Sequence, residues 1–211
     1  MDVKGSGRTR RTEKAEQTRR TILEAAAALF LDPGYPAATI DAVAERADVA
    51  VETVYKRFGS KSGLLTAILE PAVVGNERGL DLMDLPDVTE IRQCPDQQQQ
   101  VRLLARFSRT ILERTAAAHR ILASAAASDP AAASMQVKDA ERRRATQSAF
   151  IELLLTSGPL RDDMPPSTAV DTYGVLANPS TFALLTEQRG WSPDDYERWL
   201  GQTLGRLLLA D

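Results

Sequence analysis

Cysteine and histidine are nearly absent from this sequence, and their scarcity excludes several kinds of site. The 211 residues include one cysteine, Cys94, and one histidine, His119. A single cysteine cannot form an internal disulfide or a cysteine-based zinc site. The sequence also lacks a glycine-rich phosphate loop and a Glu-x-x-His pair, so little remains for a catalytic or metal centre. We therefore expect a protein that is not an enzyme and that needs no cofactor or metal.

Long apolar runs are absent as well. The longest uninterrupted run has seven residues, from Ala25 to Leu31, whereas a membrane-spanning helix takes about 20. The N-terminus is basic, but polar residues follow it where a secretory signal would place its apolar core. We therefore expect a cytoplasmic protein with no membrane partner. Its hydrophobic residues, 43% of the chain, suffice for the core of one large domain or two small ones.

Charge is distributed unevenly along the chain, although the net charge is only −3. Residues 1–20 carry seven basic and three acidic side chains, whereas residues 62–211 carry fifteen basic and twenty acidic ones. A basic segment ahead of an acidic body suits an approach to phosphate, because steering depends on local potential. Residues 1–9 alone are equally compatible with a solvated tail. The acidic body disfavours a strongly anionic small-molecule ligand.

Helical periodicity extends from Glu13 to the end of the chain, and no stretch alternates as a strand would. The first four helices are expected over residues 13–31, 39–47 and 51–58, and from Lys61 towards Pro71. Later helices are expected over 88–93, 96–117, 118–127, 131–157, 168–177, 179–189 and 194–209. We therefore predict an all-α fold. It comprises a basic flexible arm over 1–12, a three-helix domain over 13–60, and a helical bundle over 61–211 whose first helix connects the two.

Residues 40–58 contain two short helices joined by a tight turn at Asp48–Ala50, which is the pattern of a helix-turn-helix. Thr39 offers an N-cap for the first helix, Gly59 ends the second, and Ser60 caps the helix that follows. In the second helix, the spacing i, i+3, i+4 and i+7 turns four residues inward: Val51, Val54, Tyr55 and Phe58. This face predicts packing against the neighbouring helices.

The opposite, outward face of the second helix carries Glu52, Thr53, Lys56 and part of Arg57. A helix of this width fits the major groove, where Thr53 can contact a base edge and Lys56 a guanine or a phosphate. Glu52 can accept from a cytosine amino group or repel phosphate. Helix starts at Thr39 and Lys61 would direct backbone N–H groups at the flanking DNA strands. The alternative is a three-helix scaffold with a solvated charged face.

The stretch 39–65, TIDAVAERADVAVETVYKRFGSKSGLL, resembles the DNA-binding region of TetR-type transcriptional regulators. The shared features are a threonine-started helix, a small-residue turn, an aromatic near the end of the recognition helix, and a Ser-Lys pair opening the fourth helix. The resemblance covers residues 15–70, and residues 178–209 resemble the last helices of actinobacterial-type members. It implies an all-α fold with an N-terminal helix-turn-helix and a helical bundle for ligand binding and dimerisation.

The resemblance also implies roles for single residues, in three groups. The phosphate contacts are Thr39, Tyr55 and Lys61; the base-reading candidates are Val51, Glu52, Thr53 and Lys56; and the basic arm along the minor groove is Arg8, Arg10 and Arg11. Three positions depart from the usual pattern. Asp48 replaces a glycine, which is tolerable because aspartate adopts left-handed geometry more readily than most residues. Ala50 replaces a capping serine or threonine, and Glu52 replaces a common glycine.

The last helix supplies a candidate dimer interface. Its apolar stripe and the small residues beside it are Trp199, Leu200, Gly201, Leu204, Gly205 and Leu208. Small residues one turn apart let a partner helix approach closely, and a helix-turn-helix reader needs two copies to span two half-sites. The alternative for this stripe is ordinary core packing.

A ligand cavity in the body is a further expectation from the resemblance. The candidate lining residues are Phe107, Ile111, His119, Leu122, Phe150, Tyr173 and Phe182, each of which could equally be core. His119 is expected at a helix junction, and the run 142–144 of arginines on a solvated helix face.

Together these observations predict a homodimeric repressor that binds a pseudo-palindromic, double-stranded operator. A small-molecule effector of unknown identity would release it from the DNA. The alternative is a helical protein-interaction module whose helix-turn-helix does not read DNA.

Overall fold

The computed structural model describes residues 5–70 and 82–210, and the side chains of residues 12–70 and 82–210. Its helices, numbered along the chain, are α1 (Gly5–Leu29), α2 (Ile40–Arg46), α3 (Val51–Phe58), α4 (Lys61–Leu69), α5 (Pro86–Gln93), α6 (Gln97–Ala126), α7 (Pro130–Ser157), α8 (Pro166–Leu176), α9 (Pro179–Ala183) and α10 (Pro193–Leu208). One turn of π-helix follows α1 at Phe30–Gly34, and another follows α9 at Leu184–Gln188. The described part of the chain contains no strand, so the prediction of an all-α fold is confirmed.

The N-terminal unit, α1 to α4, buries one apolar face of each helix. Its best-buried residues come from all four helices: Ile22, Ala26, Val43, Ala44, Val54, Leu64, Leu65 and Leu69. The core of this unit also includes Ile121, Leu122 and Ala125 from the end of α6, and Ala132 from α7. Leu122 is therefore a core residue of the N-terminal unit, although the sequence suggested that it lines a ligand cavity.

The body is organised around α6, which packs against α5, α7, α9 and α10. The sequence predicted a helix boundary between residues 117 and 118, but α6 continues through it. The reason is local, because residues 116–118 are three alanines without a proline or glycine nearby, and alanine is the best helix former. His119 consequently lies within a helix rather than at a junction.

The stripe of α10 faces α6 of the same chain. Leu200, Leu204 and Leu208 are fully buried within the single chain. A Cβ placed on Gly201 would lie 3.4 Å from the Cβ of Ala105 on α6, so the small residue admits an internal neighbour. The same holds for Gly205, beside Gln98. Five of the six predicted interface residues are thus buried within the single chain, and Trp199 is half-buried; the dimer interface itself stays a prediction.

Two other predictions, the N-terminal arm and the helix end at Pro71, can be compared only in part with the described residues. Helix α1 begins at Gly5, so the backbone of Arg8, Arg10 and Arg11 is helical rather than an extended arm. Arginine, lysine and glutamate between Arg8 and Arg20 all favour helix, which explains the early start. The side chains of these three arginines, and the expected helix end at Pro71, lie outside the described residues.

Candidate DNA-binding surface and ligand cavity

The caps of the helix-turn-helix follow the sequence closely. The Oγ1 of Thr39 accepts a hydrogen bond from the Ala42 N–H at 3.1 Å, and the Oγ of Ser60 accepts one from the Gly63 N–H at 3.0 Å. Ala50 provides no side-chain cap for α3, as its methyl group requires. Because capping uses only the oxygen of Thr39, the hydroxyl hydrogen of this exposed residue remains able to donate to a phosphate.

Backbone geometry fixes the turns on either side of α3. Asp48 has a φ of +52°, the left-handed conformation expected for the aspartate that stands in the turn. Gly59 ends α3 with a φ of +74°. A Cβ on Gly63 would lie 1.9 Å from the backbone oxygen of Phe58, so the first turn of α4 touches the end of α3. The relative orientation of α3 and α4 therefore depends on a glycine at this position.

The exposed face of α3 is wider than the periodicity predicted. Val54 is 1% exposed, but Tyr55 is 51% exposed, so the prediction that Tyr55 turns inward is wrong. An eight-residue helix packed between two short neighbours buries only a narrow stripe, and Tyr55 lies outside it. The exposed side chains of the face are Glu52, Tyr55, Lys56 and Arg57, and Val51 and Thr53 are half-buried at its margin.

Lys61 lies at the start of α4, with its ammonium folded against the turn after α1. Its Nζ lies 4.4 Å from the centre of the Tyr35 ring and donates to the Pro36 carbonyl oxygen at 3.3 Å. Burial lowers the pKa of Lys61 below its usual value. The remaining N–H groups of this ammonium are the ones that could meet a phosphate.

Tyr35 also connects this turn to the body. Its hydroxyl donates to Oδ2 of Asp129 at 2.9 Å, and its backbone N–H donates to the Oγ of Ser124 at 3.2 Å. Asp129 is the N-cap of α7, where its Oδ1 accepts from two backbone N–H groups. Burial, reinforced by the bond to Asp129, raises the pKa of Tyr35 to about 12, while the backbone hydrogen bond from Ala132 is the main cause of the lowered pKa of Asp129.

A cavity of about 110 Å³ lies among α6, α7 and α8. Five of the seven predicted residues line it: Phe107, Ile111, His119, Phe150 and Tyr173. Phe182 does not, because its ring packs edge-on against Tyr196 with a centroid distance of 4.9 Å. Asp139, Arg142 and Arg143 of α7 also line the cavity, and the sequence predictions did not include them among its residues.

The apolar end of the cavity is aromatic. The ring centroids of Phe107 and Phe150 are 5.4 Å apart, and those of Phe150 and Tyr173 are 6.3 Å apart. Ser108 donates to the Leu104 carbonyl oxygen at 2.7 Å, so its oxygen is the acceptor for the Tyr173 hydroxyl at 2.8 Å. Burial raises the pKa of Tyr173 to about 12, which keeps this hydroxyl neutral.

The polar end is organised by Asp139, which is 3% exposed. Its Oδ1 accepts from Nη2 of Arg142 at 2.7 Å, and its Oδ2 accepts from Nε of Arg143 at 3.0 Å. The Nε2 of His119 lies 3.1 Å from Oδ2. Burial acts to raise the pKa of Asp139, but the nearby His119 and the charges of the two arginines outweigh it and lower the pKa.

The sequence predictions missed this cluster. The arginines at 142 and 143 are not simply solvated, because both bind the buried carboxylate. Arg142 and Arg143 stand at i+3 and i+4 from Asp139, and this spacing could have predicted ion pairs on one helix face. The spacing could not have predicted that the carboxylate is buried. In residues 5–70 and 82–210, none of the helices combines the length and the hydropathy that crossing a bilayer takes.

Comparisons with known proteins match this geometry. Residues 22–68 match the family model described as bacterial regulatory proteins, tetR family. Over 58 residues the chain is 47% identical to the HTH-type transcriptional repressor KstR of Mycolicibacterium smegmatis, covering 28% of this chain and 28% of that protein. The chain thus spans little more than a quarter of the length of this relative.

Solved structures resemble nearly the whole chain, at lower identity. A proposed transcriptional regulator of Saccharomonospora viridis, in complex with choline, has a TM-score of 0.67 and 19% identity over 93% of this chain and all of that one. NalD, the secondary repressor of the MexAB-OprM multidrug efflux pump in Pseudomonas aeruginosa, has a TM-score of 0.63 and 20% identity over 93% of this chain and 99% of its own. These likenesses show the fold. The actinobacterial character of residues 178–209 stays a prediction.

The matched proteins are regulators or repressors rather than enzymes, in agreement with the prediction that this chain is not an enzyme. The matched family segment begins within α1 and ends within α4, so it contains the whole helix-turn-helix. This segment, residues 22–68, is therefore similar to the tetR family of bacterial regulatory proteins.

Proposed function

We propose that this protein is a homodimeric transcriptional repressor that binds a pseudo-palindromic operator and leaves it when a small molecule occupies the body. The observation that carries the proposal is the exposed face of α3 within a family-matched helix-turn-helix. Side chains on such a face reach base edges when the helix enters the major groove. The relative KstR is itself named a transcriptional repressor.

Residues at the margin and at the centre of the exposed α3 face are the candidates for contacts with the bases. Thr53 has a methyl group for a thymine and a hydroxyl for a base edge, and Lys56 has three N–H donors for a guanine or a phosphate. Glu52 selects for a cytosine amino group and against close phosphate. Tyr55, with half of its surface exposed, suits a phosphate contact through its hydroxyl.

Release by a ligand requires contact between the cavity and the DNA-binding unit. Helix α7 carries Asp139 at the cavity and is capped at its N-terminus by Asp129, whose carboxylate accepts from Tyr35. The Tyr35 ring in turn lies under the Lys61 ammonium. A ligand that shifts α7 would therefore act on the start of α4 through two direct contacts. Ligand binding and operator binding are then linked, provided that the ligand prefers one position of α7.

Dimerisation needs a surface that the single chain leaves open. Three apolar side chains on α8, on the turn after α9 and on α10 remain exposed: Val175 at 65%, Leu184 at 41% and Leu207 at 40%. Apolar side chains this exposed on neighbouring elements favour association with a second copy.

The test is selection of duplexes from a randomised library, followed by a salt titration on the recovered sequence. We expect a palindrome whose affinity falls steeply with salt, because a dimer neutralises phosphates at two half-sites. Lys61→Ala should weaken binding to all duplexes alike and reduce the salt slope by about 1. Thr53→Ala should change the preferred base, with a discrimination of about 1–3 kcal/mol lost at one position of each half-site.

Lys138→Ala is the matched control, because Lys138 is an exposed lysine on α7 of the body. It removes the same charge, and we expect it to leave the affinity and the preferred sequence unchanged. Folded protein that binds no duplex at low salt would refute the proposal and favour a protein-interaction module. Binding without a preferred sequence would refute the assignment of Thr53 as a reader.

A further inference from the structure

The polar end of the cavity holds more N–H donors than acceptors. Asp139 is the one acidic side chain among the described lining residues, whereas Arg142 and Arg143 both lie there. Each guanidinium carries five N–H groups, of which Asp139 accepts one from each arginine. The local charge is therefore positive, although the body as a whole is acidic.

His119 also lines the cavity. Its Nδ1 lies 2.8 Å from the Thr115 carbonyl oxygen, and a carbonyl only accepts, so Nδ1 carries a proton. Its Nε2 is buried and lies 3.1 Å from a carboxylate oxygen of Asp139, yet it makes no aligned hydrogen bond. Within the described structure, the cavity thus contains a buried ring nitrogen without an aligned hydrogen bond.

The rest of the lining is apolar and includes Phe107, Ile111 and Phe150. A ligand that satisfies both ends has an apolar body and a head that accepts hydrogen bonds. A volume of about 110 Å³ is small beside the roughly 300–1,000 Å³ of drug-sized pockets, which favours a compact molecule. A cationic head is disfavoured because Asp139 is already bound by two arginines, whose charges would repel it.

We infer that the cavity binds a compact carboxylate with an aromatic or short aliphatic body. The carboxylate accepts from Arg142 and Arg143, and the body lies against Phe107 and Phe150. Asp139 is the positioning residue, since its two oxygens hold both guanidiniums at the cavity. The inference rests on the proposed function in that this ligand would be the effector.

The experiment is calorimetric titration of the full-length protein with benzoate, 3-phenylpropionate and hexanoate, each beside its primary amide and the corresponding amine. We expect at least one carboxylate to bind about tenfold or more tightly than its amide and its amine, because charge-assisted hydrogen bonds are about twice as strong as neutral ones. Arg143→Gln should weaken that carboxylate about tenfold and leave the amide nearly unchanged. Choline, as a cationic probe, should bind more weakly than the carboxylate.

Arg144→Gln is the matched control, because the neighbouring Arg144 pairs with Asp171 and does not line the cavity. It should leave carboxylate affinity within about twofold, and circular dichroism should show both variants folded. Arg143→Lys, which keeps the charge, should restore part of the affinity. Equal weakening by Arg143→Gln and Arg144→Gln would overturn the assignment of the head group.

Two readouts separate this inference from the proposed function. Preference for amides, amines or choline over every carboxylate in the series would overturn the inference, while operator binding measured in parallel would still support a DNA-binding repressor. Carboxylate binding that leaves operator affinity unchanged would support the site and overturn its role in release.

Discussion

The hydrogen bond between Tyr35 and Asp129 should stabilise the protein by an amount that can be isolated. Tyr35→Phe removes the hydroxyl but keeps the ring, which lies 4.9 Å from the Phe30 ring and 4.4 Å from Nζ of Lys61. A hydrogen bond to a charged group contributes about 1.5–3 kcal/mol. Asp129 is half-buried, so water can solvate the released carboxylate, and the lower end of that range applies.

We therefore expect Tyr35→Phe to lower the free energy of unfolding by about 1.5 kcal/mol, measured by urea denaturation at constant protein concentration. For a chain of this size the Tm should fall by about 3–5 °C. The fluorescence and circular dichroism transitions should stay superimposable, since the packing of the ring is unchanged.

A double-mutant cycle with Asp129→Ser identifies the cause. Serine keeps the N-cap of α7, but its shorter side chain cannot reach the Tyr35 hydroxyl as the carboxylate does. The coupling between Tyr35→Phe and Asp129→Ser should be about 1 kcal/mol. Additive effects, with a coupling below about 0.3–0.5 kcal/mol, would refute the reasoning, because the two groups would then contribute independently.

Two further predictions concern packing and pH. Gly63→Ala should lower the free energy of unfolding by about 1–3 kcal/mol, because the new methyl group meets the backbone of Phe58. Gly205→Ala is the control and should be near neutral, because its methyl group meets only the end of the Gln98 side chain. Thermal denaturation of both variants measures the difference. The lowered pKa of Asp139 means that its ionised form stabilises the protein above about pH 4, its unfolded value, and that this contribution is lost as pH falls through the folded pKa. The stability difference between wild type and Asp139→Asn should therefore be largest near pH 6 and shrink towards pH 3 in urea denaturation; a difference independent of pH would contradict it.

Features that depend on neighbours in sequence could be predicted from the sequence. Thr39 and Ser60 cap helices because a hydroxyl before a helical run meets a free N–H two or three residues later. Asp48 and Gly59 adopt positive φ because the chain must turn there. The exposed Glu52 of the candidate DNA-binding face was predictable for the same reason.

Features that depend on which element covers a face could not be predicted. Tyr55 has the spacing of a buried residue, but half of its surface is exposed among the described residues. Gly201 has the spacing of a helix contact, and sequence alone cannot say whether the partner helix belongs to the same chain. Asp139 is spaced for ion pairs, but its burial follows from α6 and α7 packing together.

The end of α6 has a consequence for how this protein could be recombined with others. Ile121, Leu122 and Ala125 are interior residues of the N-terminal unit, although they lie more than 50 positions beyond its last helix. A hybrid regulator that joins residues 5–70 to the helical bundle of another protein would therefore have a cavity in the core of the N-terminal unit. The cavity is avoided only if the new bundle supplies side chains of similar volume at those three positions. Exchange of helical bundles between such proteins is therefore constrained by residues 121–125 of α6. These residues pack in the core of the N-terminal unit, which the hybrid retains.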